Sequence, residues 1–464
     1  MTIKSTRRRR SFTAIVSCSA ALTVLGLVGG SIPAFGFGST DSWALGQNSE
    51  HQHITESLGI ADPLWNKKSL ILVAGNSGNY GAVAAADRAT DSSATLIKGL
   101  GPGYKHCDDG DWLDVPGYPH TSNSAVAELT KCADYYQYLL DRAVRYAGQL
   151  VTPEMKVSES VFTMTSGSGT FKPDTYCAYR FSLTPDNNPK CDVLNAFGRS
   201  LHVAEDVWSH TNWGDQADPA KSISITNPPG LGNTEIPGFL HYPASITIPE
   251  GLISGCDDSA PMSDCKNRIG HSALAKDNGK FNPDGSNAQS TDKYYRGLVV
   301  VDGVSNFERA ITGAMNQAAS TWSDLQNAIL SKYGDARGNA IISVLRSDSA
   351  KQAGLTATEL TDQPFVRSQG APASGEFAAD PSQDAPLGSG NKDSDPGHAG
   401  LAGESADSST RQAAGVTLGE QSPTNDVTSS GSNAIVWVVV GAALIILIVI
   451  VLVLGRRRSK TKNA

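Results

Sequence analysis

Residues 195–215 read NAFGRSLHVAEDVWSHTNWGD and set His202, Asp206 and His210 four residues apart. On an α-helix, positions i, i+4 and i+8 stack along one face. Leu201 just before them and Val203, Val207 and Trp208 between them supply the apolar contacts that hold such a helix in a core. Two imidazoles and a carboxylate on one face are donors for a divalent cation. One helix cannot surround an ion, so further ligands have to come from distant parts of the chain.

The chain has nine histidines. His51 stands in EHQHIT, His106 and Asp108 in KHCDDGDW, and His120 in YPHTSN. His271 stands in IGHSALAKD, with Asp277 six residues later. The expected metal set is therefore His51, His106, Asp108, His120, His202, Asp206, His210 and His271, with Asp108 and Asp206 the expected catalytic carboxylates. The competing reading of each single histidine is a surface or satisfied core residue. His53, His241 and His398 read as background, and Asp109, Asp111 and Asp114 as solvation of a loop. Glu205 either orients a ligating imidazole or lies on a solvated face. Two or three zinc ions held in this way would make a nucleophile of water near neutral pH and offset charge on phosphoryl oxygens. No GxSxG, P-loop or GxGxxG motif competes.

The rest of the pattern is helical. Residues 49–58 open a helix, and 69–86 pair a short buried strand or helix with a Gly-Asn turn and an alanine run. Val126, Leu129, Ala133, Tyr136, Leu140 and Val144 keep helical spacing within 124–150. Phe307, Ile311, Ala314, Ala318, Trp322, Leu325 and Ile329 do the same within 306–333, and 336–350 reads as a last helix. Residues 216–264 are rich in Pro, Gly and Ser, with two β-type runs, SISIT and ASITI. Long connections of this kind are often functional.

Both ends of the chain predict export and anchoring. Residues 1–34 read as a signal peptide, with a basic start, an apolar run and a small-residue exit. Arg9-Arg10-Ser11-Phe12 also fits a twin-arginine pattern. The head is expected over 35–350. Residues 351–432 are rich in Ser, Gly, Asp and Pro and read as a disordered stalk. Residues 433–455 read as one transmembrane helix, followed by a basic tail at 456–464. The positive-inside rule puts that tail in the cytoplasm and the head outside the cell membrane.

Cys18 leaves with the signal, and six cysteines remain. Outside the membrane they predict disulfides. Cys177–Cys191 and Cys256–Cys265 are the closest pairs, which leaves Cys107–Cys132, although six cysteines allow fifteen connectivities. The formal net charge is −8 with no basic stripe in the head, so no specific nucleic-acid binding is expected.

LHVAEDVWSHTNW resembles the LHxxxDxxSHxNW signature of HET-C-like proteins and, more distantly, the metal helix of zinc-dependent phospholipase C and the S1/P1 nucleases. Trp43 with HQHIT resembles the start of that group, and IGHSALAKD with NFERAITGAM a later segment and closing helix. The resemblance implies a mainly α, multi-helix phospholipase C/P1 nuclease-like head with long loops and a trinuclear zinc cleft. It implies His51, His202, Asp206, His210 and His271 as ligands, Asp108 as the bridging aspartate, and a phospholipid or other phosphodiester as substrate. Three departures stand out: Trp43 is not at the predicted mature N-terminus, Asp206 and His210 are only four residues apart, closer than in the bacterial phospholipases, and Ala275 stands where an acid would follow His271 by four residues. The expectation is a membrane-tethered phosphodiester hydrolase. The alternatives are a non-catalytic zinc-stabilised surface protein or an S1/P1-type nuclease.

Overall fold

Asn188-Pro189 begins the central helix. The Asn188 side chain accepts a hydrogen bond from the Lys190 amide (3.0 Å), and Pro189 occupies the first helical position, where a missing N–H costs nothing. The sequence reads as a loop over 165–194, yet the helix already begins at Pro189 and runs over Pro189–His210. It ends at Thr211, whose Oγ1 turns back to donate to the Val207 carbonyl (2.6 Å). Every residue of it except Asp192 is buried.

The computed structural model describes residues 37–38, 41–42, 47–76, 79–90, 103–162, 177, 188–257, 264–291 and 296–358. The signal peptide, Trp43, most of the stalk, the apolar C-terminal segment and the basic tail lie outside these residues. Among the described residues the fold is mainly helical, and no helix there is long and apolar enough to cross a membrane.

Helices are numbered here in chain order: α1 Glu50–Glu56, α2 Leu58–Ala61, α3 Lys67–Ala74, α4 Ala82–Thr90, α5 Ser122–Ala147, α6 Pro189–His210, α7 Asn306–Tyr333 and α8 Asp335–Arg346. The packing centres on α6, with α4, α5 and α7 laid against it and α1 and α3 closing the remaining side. Helix α5 opens with a capping box between Thr121 and Ser124. Its Leu129, Ala133, Tyr136, Leu140 and Val144 are buried as the spacing predicts, whereas Val126 is exposed. Helix α7 opens on the Ser305 side chain, which accepts from the Glu308 amide (3.1 Å), and spans the residues its periodicity predicts.

The described strands are two residues long and pair in five two-stranded ladders. They fasten loops rather than build a layer. Neither SISIT nor ASITI forms a strand. Asn227 folds the first run into turns, its amide donating to the carbonyls of Asp218 (3.1 Å) and Lys221 (3.1 Å). Ile246 and Ile248 of the second run pack singly onto the main core.

That core surrounds α6. A second, smaller one holds Leu113, Ile253, Ile269 and Leu274, with Trp112, Tyr118 and Ile225 packed against it. It lies under the loops that carry Asp108 and His271.

Close approach of α4 to α6 depends on Gly198. A Cβ there would lie 2.4 Å from the Ala82 Cβ and 2.8 Å from the Val83 amide nitrogen. The clash is with backbone and a methyl, which cannot swing aside. Gly198→Val should therefore lower the unfolding free energy by about 2 kcal/mol or more, despite valine's better helix propensity. Denaturant titration checks this; a neutral or stabilising effect would mean that the two helices can part without cost.

Candidate metal centre

Helix α6 aims His202, Asp206 and His210 from consecutive turns, and three other segments meet them. Helix α1 brings His51, whose Nε2 lies 3.3 Å from Asp206 Oδ1 and 3.1 Å from His202 Nδ1. The 106–111 loop brings His106, with Nδ1 2.8 Å from Asp206 Oδ2, and Asp108. The turn at 271–273 brings His271, with Nδ1 3.1 Å from Asp108 Oδ1. On α6 itself, His202 Nε2 is 3.3 Å from Asp206 Oδ2, and His210 Nε2 is 3.7 Å from Asp206 Oδ1.

Among the described residues, three groups able to hold a metal ion result: His51, His202 and Asp206; His106, Asp206 and His210; and Asp108, His210 and His271. Within each, the donor atoms lie within 4.8 Å of one another. The groups share Asp206 and His210, so they form one continuous run of donors. Seven of the eight expected ligands are thus brought together. His120 is not. Its Nδ1 lies 3.3 Å from Arg268 Nη2 and 3.4 Å from Asp111 Oδ1, because the Arg268–Asp111 ion pair holds it outside the run.

Hydrogen bonds fix which ring nitrogen is free to ligate. The His106 carbonyl lies 2.9 Å from His210 Nδ1 and can only accept, so that nitrogen carries the proton and Nε2 keeps its lone pair. Glu205 Oε2 is 2.6 Å from His51 Nδ1 and leaves His51 Nε2 facing Asp206. Thr55 Oγ1 donates to the other Glu205 oxygen (2.8 Å). Glu205 thus orients an imidazole rather than facing solvent.

Asp277 is a contributor that sequence reasoning undervalued. Its Oδ2 lies 3.0 Å from His271 Nε2 and its Oδ1 3.4 Å from His210 Nε2, and it accepts from Ser209 Oγ. The 274–277 segment is not helical, so a spacing of six still returns the carboxylate to the site. Lys276 holds that segment, donating to the Thr211 and Leu274 carbonyls (2.9 and 2.7 Å) and to Asp215 Oδ2 (3.2 Å).

The ligand loops are tied down on several sides. The structure pairs Cys107 with Cys132, Cys177 with Cys191, and Cys256 with Cys265. Cys107 sits between His106 and Asp108, so its disulfide anchors both to α5. Cys256 exchanges backbone hydrogen bonds with residues 269–271, its amide donating to the Ile269 carbonyl and its carbonyl accepting from the His271 amide (both 2.7 Å). Cys107 and Asp109 are both left-handed, φ 59° and 67°, a costly backbone for residues other than glycine. The Asp109 amide donates to the Gly255 carbonyl (2.7 Å), and Arg268 grips both Asp109 and Asp111.

Burial makes the charge balance severe. Asp206 is fully buried, which alone would raise its carboxyl, yet His202, His210 and His51 hold it well below the usual carboxylate range. Burial pulls His51 down, but Asp206 and Glu205 outweigh it and hold His51 well above its ordinary value. Asp108 and Asp277 do the same for His271. Burial, reinforced by the neighbouring imidazoles, keeps His202 well below its ordinary value. Burial pushes Glu205 up to about 7. The pattern draws positive charge to the centre, which protons or metal ions can supply.

The donor set fits a metal. Tetrahedral bonds of about 2.0 Å place neighbouring donors about 3.3 Å apart, and the separations around Asp206 run from 2.8 to 3.7 Å. His202 Nε2, Asp206 Oδ1 and His210 Nε2 are buried without a hydrogen-bond partner. Such orphaned atoms cost free energy unless something else engages them. All three lie in the shared run.

Comparison with known proteins found no matching family model, no matching curated protein and no matching solved structure.

Glu205→Gln keeps the shape of the side chain but weakens its hold on the His51 N–H. Competition with a chelating dye should show a divalent-metal affinity roughly tenfold to a hundredfold lower, the usual cost of losing such a partner. Unchanged affinity would remove Glu205, and with it His51, from the centre.

Proposed function

We propose that this chain is a zinc-dependent phosphodiester hydrolase of the phospholipase C type, tethered outside the cell membrane. The observation that carries the reading is the run of three donor groups sharing Asp206 and His210. A shared carboxylate is what neighbouring cations need to sit close together, and adjacent cations suit phosphoryl chemistry. The mixture of imidazole and carboxylate donors is the set that catalytic zinc sites use. The resemblance of LHVAEDVWSHTNW to the helix of HET-C-like proteins and phospholipase C points the same way.

His51, His106, His202 and His210 would hold the ions with Asp108, Asp206, His271 and Asp277. Zinc bound there would supply Lewis acidity and make water acidic enough to attack near neutral pH. The chain's own residues do the rest. Glu205 and the His106 carbonyl lock ring orientation. Asp206 joins two donor groups. Asp277 accepts from Ser209, and against its burial the neighbouring His210 and His271 hold its carboxyl well below the usual range, so it stays a charged donor beside both imidazoles. His106 is the ligand most open to solvent, at 12 % of its side chain, so substrate approaches from its side.

A second reading has its own support. His202, Asp206, His210 and His271 are each at most 2 % exposed, as a closed structural metal site requires. In that case the chain is a zinc-stabilised surface protein without catalysis.

Metal content and hydrolysis of bis(p-nitrophenyl) phosphate by the full chain separate the two. The proposal expects bound zinc and turnover lost by about a hundredfold or more in Asp206→Asn, the scale for removing a group that stabilises a transition state. Zinc without turnover towards this substrate or short-chain phosphatidylcholine would favour the structural reading. A metal-free, folded chain would contradict both.

A further inference from the structure

The connection from α2 to α3 exposes apolar surface that the packing does not require. Ile60 and Leu64 are 58 % and 63 % exposed, and Ala61 and Pro63 between them are exposed as well. Among the described residues the other large exposed apolar side chains stand singly along the chain, except Leu298 and Val300, which lie at the entry to a two-residue strand. Scattered residues of that kind are ordinary, whereas a contiguous apolar tip asks for a partner.

The base of the tip is rigid. Trp65 is buried against Trp322, ring centroids 4.8 Å apart. Asp62, the one charge on the tip, is turned away and paired, accepting from Arg346 Nη1 (2.9 Å) and Trp322 Nε1 (2.8 Å). What remains outward is Ile60, Ala61, Pro63 and Leu64, followed at once by exposed Lys67 and Lys68. An apolar wedge backed by cations matches an acidic lipid interface.

The path of the chain supports that occupant. The Asn66 amide donates to the Arg346 carbonyl (2.8 Å), so the tip lies beside the end of α8, the last described helix. From there the chain runs to Thr358 and onward to the apolar segment Ala434–Leu454. Residues 359–433 have the composition of a linker, and a coil of that length averages roughly 50 Å end to end. A bilayer spanned by Ala434–Leu454 is within reach.

We propose that the Ile60–Leu64 tip docks the head onto an anionic lipid surface, with Ile60 and Leu64 entering the interface and Lys67 and Lys68 meeting the headgroups. This rests on Ala434–Leu454 spanning the bilayer and is independent of hydrolysis.

The test uses the full chain in proteoliposomes, with flotation confirming incorporation. An environment-sensitive fluorophore is placed at Leu64→Cys or, as a control elsewhere on the head, at Ile223→Cys. Lipids spin-labelled high on the acyl chain are the quencher. With phosphatidylserine present, the probe at position 64 should shift to the blue and be quenched several-fold more than the probe at 223. Lys67→Glu with Lys68→Glu should abolish the difference. Equal quenching at the two positions, or none at 64 in floated vesicles, would overturn the proposal. Failure to float would overturn the bilayer span, and the docking with it.

Discussion

A carboxylate sealed among imidazoles governs this molecule. Asp206 has no access to water, and its negative charge must be met by cations within the protein. Four imidazoles, those of His51, His106, His202 and His210, approach it from α1, from the 106–111 loop and from α6 itself. The folds of those segments answer to that one demand. Without compensating charge, bringing them together would be strongly unfavourable; with it, they become the reason that distant parts of the chain meet.

The scaffold is built to hold ligands that no helix carries. His106, Asp108 and His271 sit on irregular backbone, which is mobile unless fastened. Two disulfides, the Arg268–Asp111 ion pair and the second core beneath Leu113 and Ile269 do the fastening. Left-handed Cys107 and Asp109 flank Asp108, and strained backbone of this kind persists only where its surroundings over-determine it. Helix α6 can then be rigid and the loops exact, a division of labour that suits a site needing donors at set distances.

The sequence was most legible where periodicity and capping agree. The limits of α7 follow from Ser305 at one end and Gly334 at the other, and the placing of His202, Asp206 and His210 on one face follows from their spacing alone. The start of α6 was missed because Asn188-Pro189 caps it ahead of its periodic part. SISIT looked like a strand, but the Asn227 side-chain amide gathers the Asp218 and Lys221 carbonyls just ahead of it and draws the run into turns. Within the site, Glu205 could not be assigned without knowing that α1 packs against it. Asp277 was undervalued because a spacing of six has no meaning on a helix, and its segment is not one. His120 shared the local signal of the true cluster, an imidazole in a polar loop, and only the position of Arg268 tells them apart.

The most direct test is anomalous diffraction at the zinc edge from crystals of the head grown without chelator. Anomalous peaks should fall within bonding distance of Asp206, at least one of them also contacting His210. Peaks remote from Asp206, or none in a protein that is folded and zinc-replete in solution, would contradict the shared-carboxylate centre.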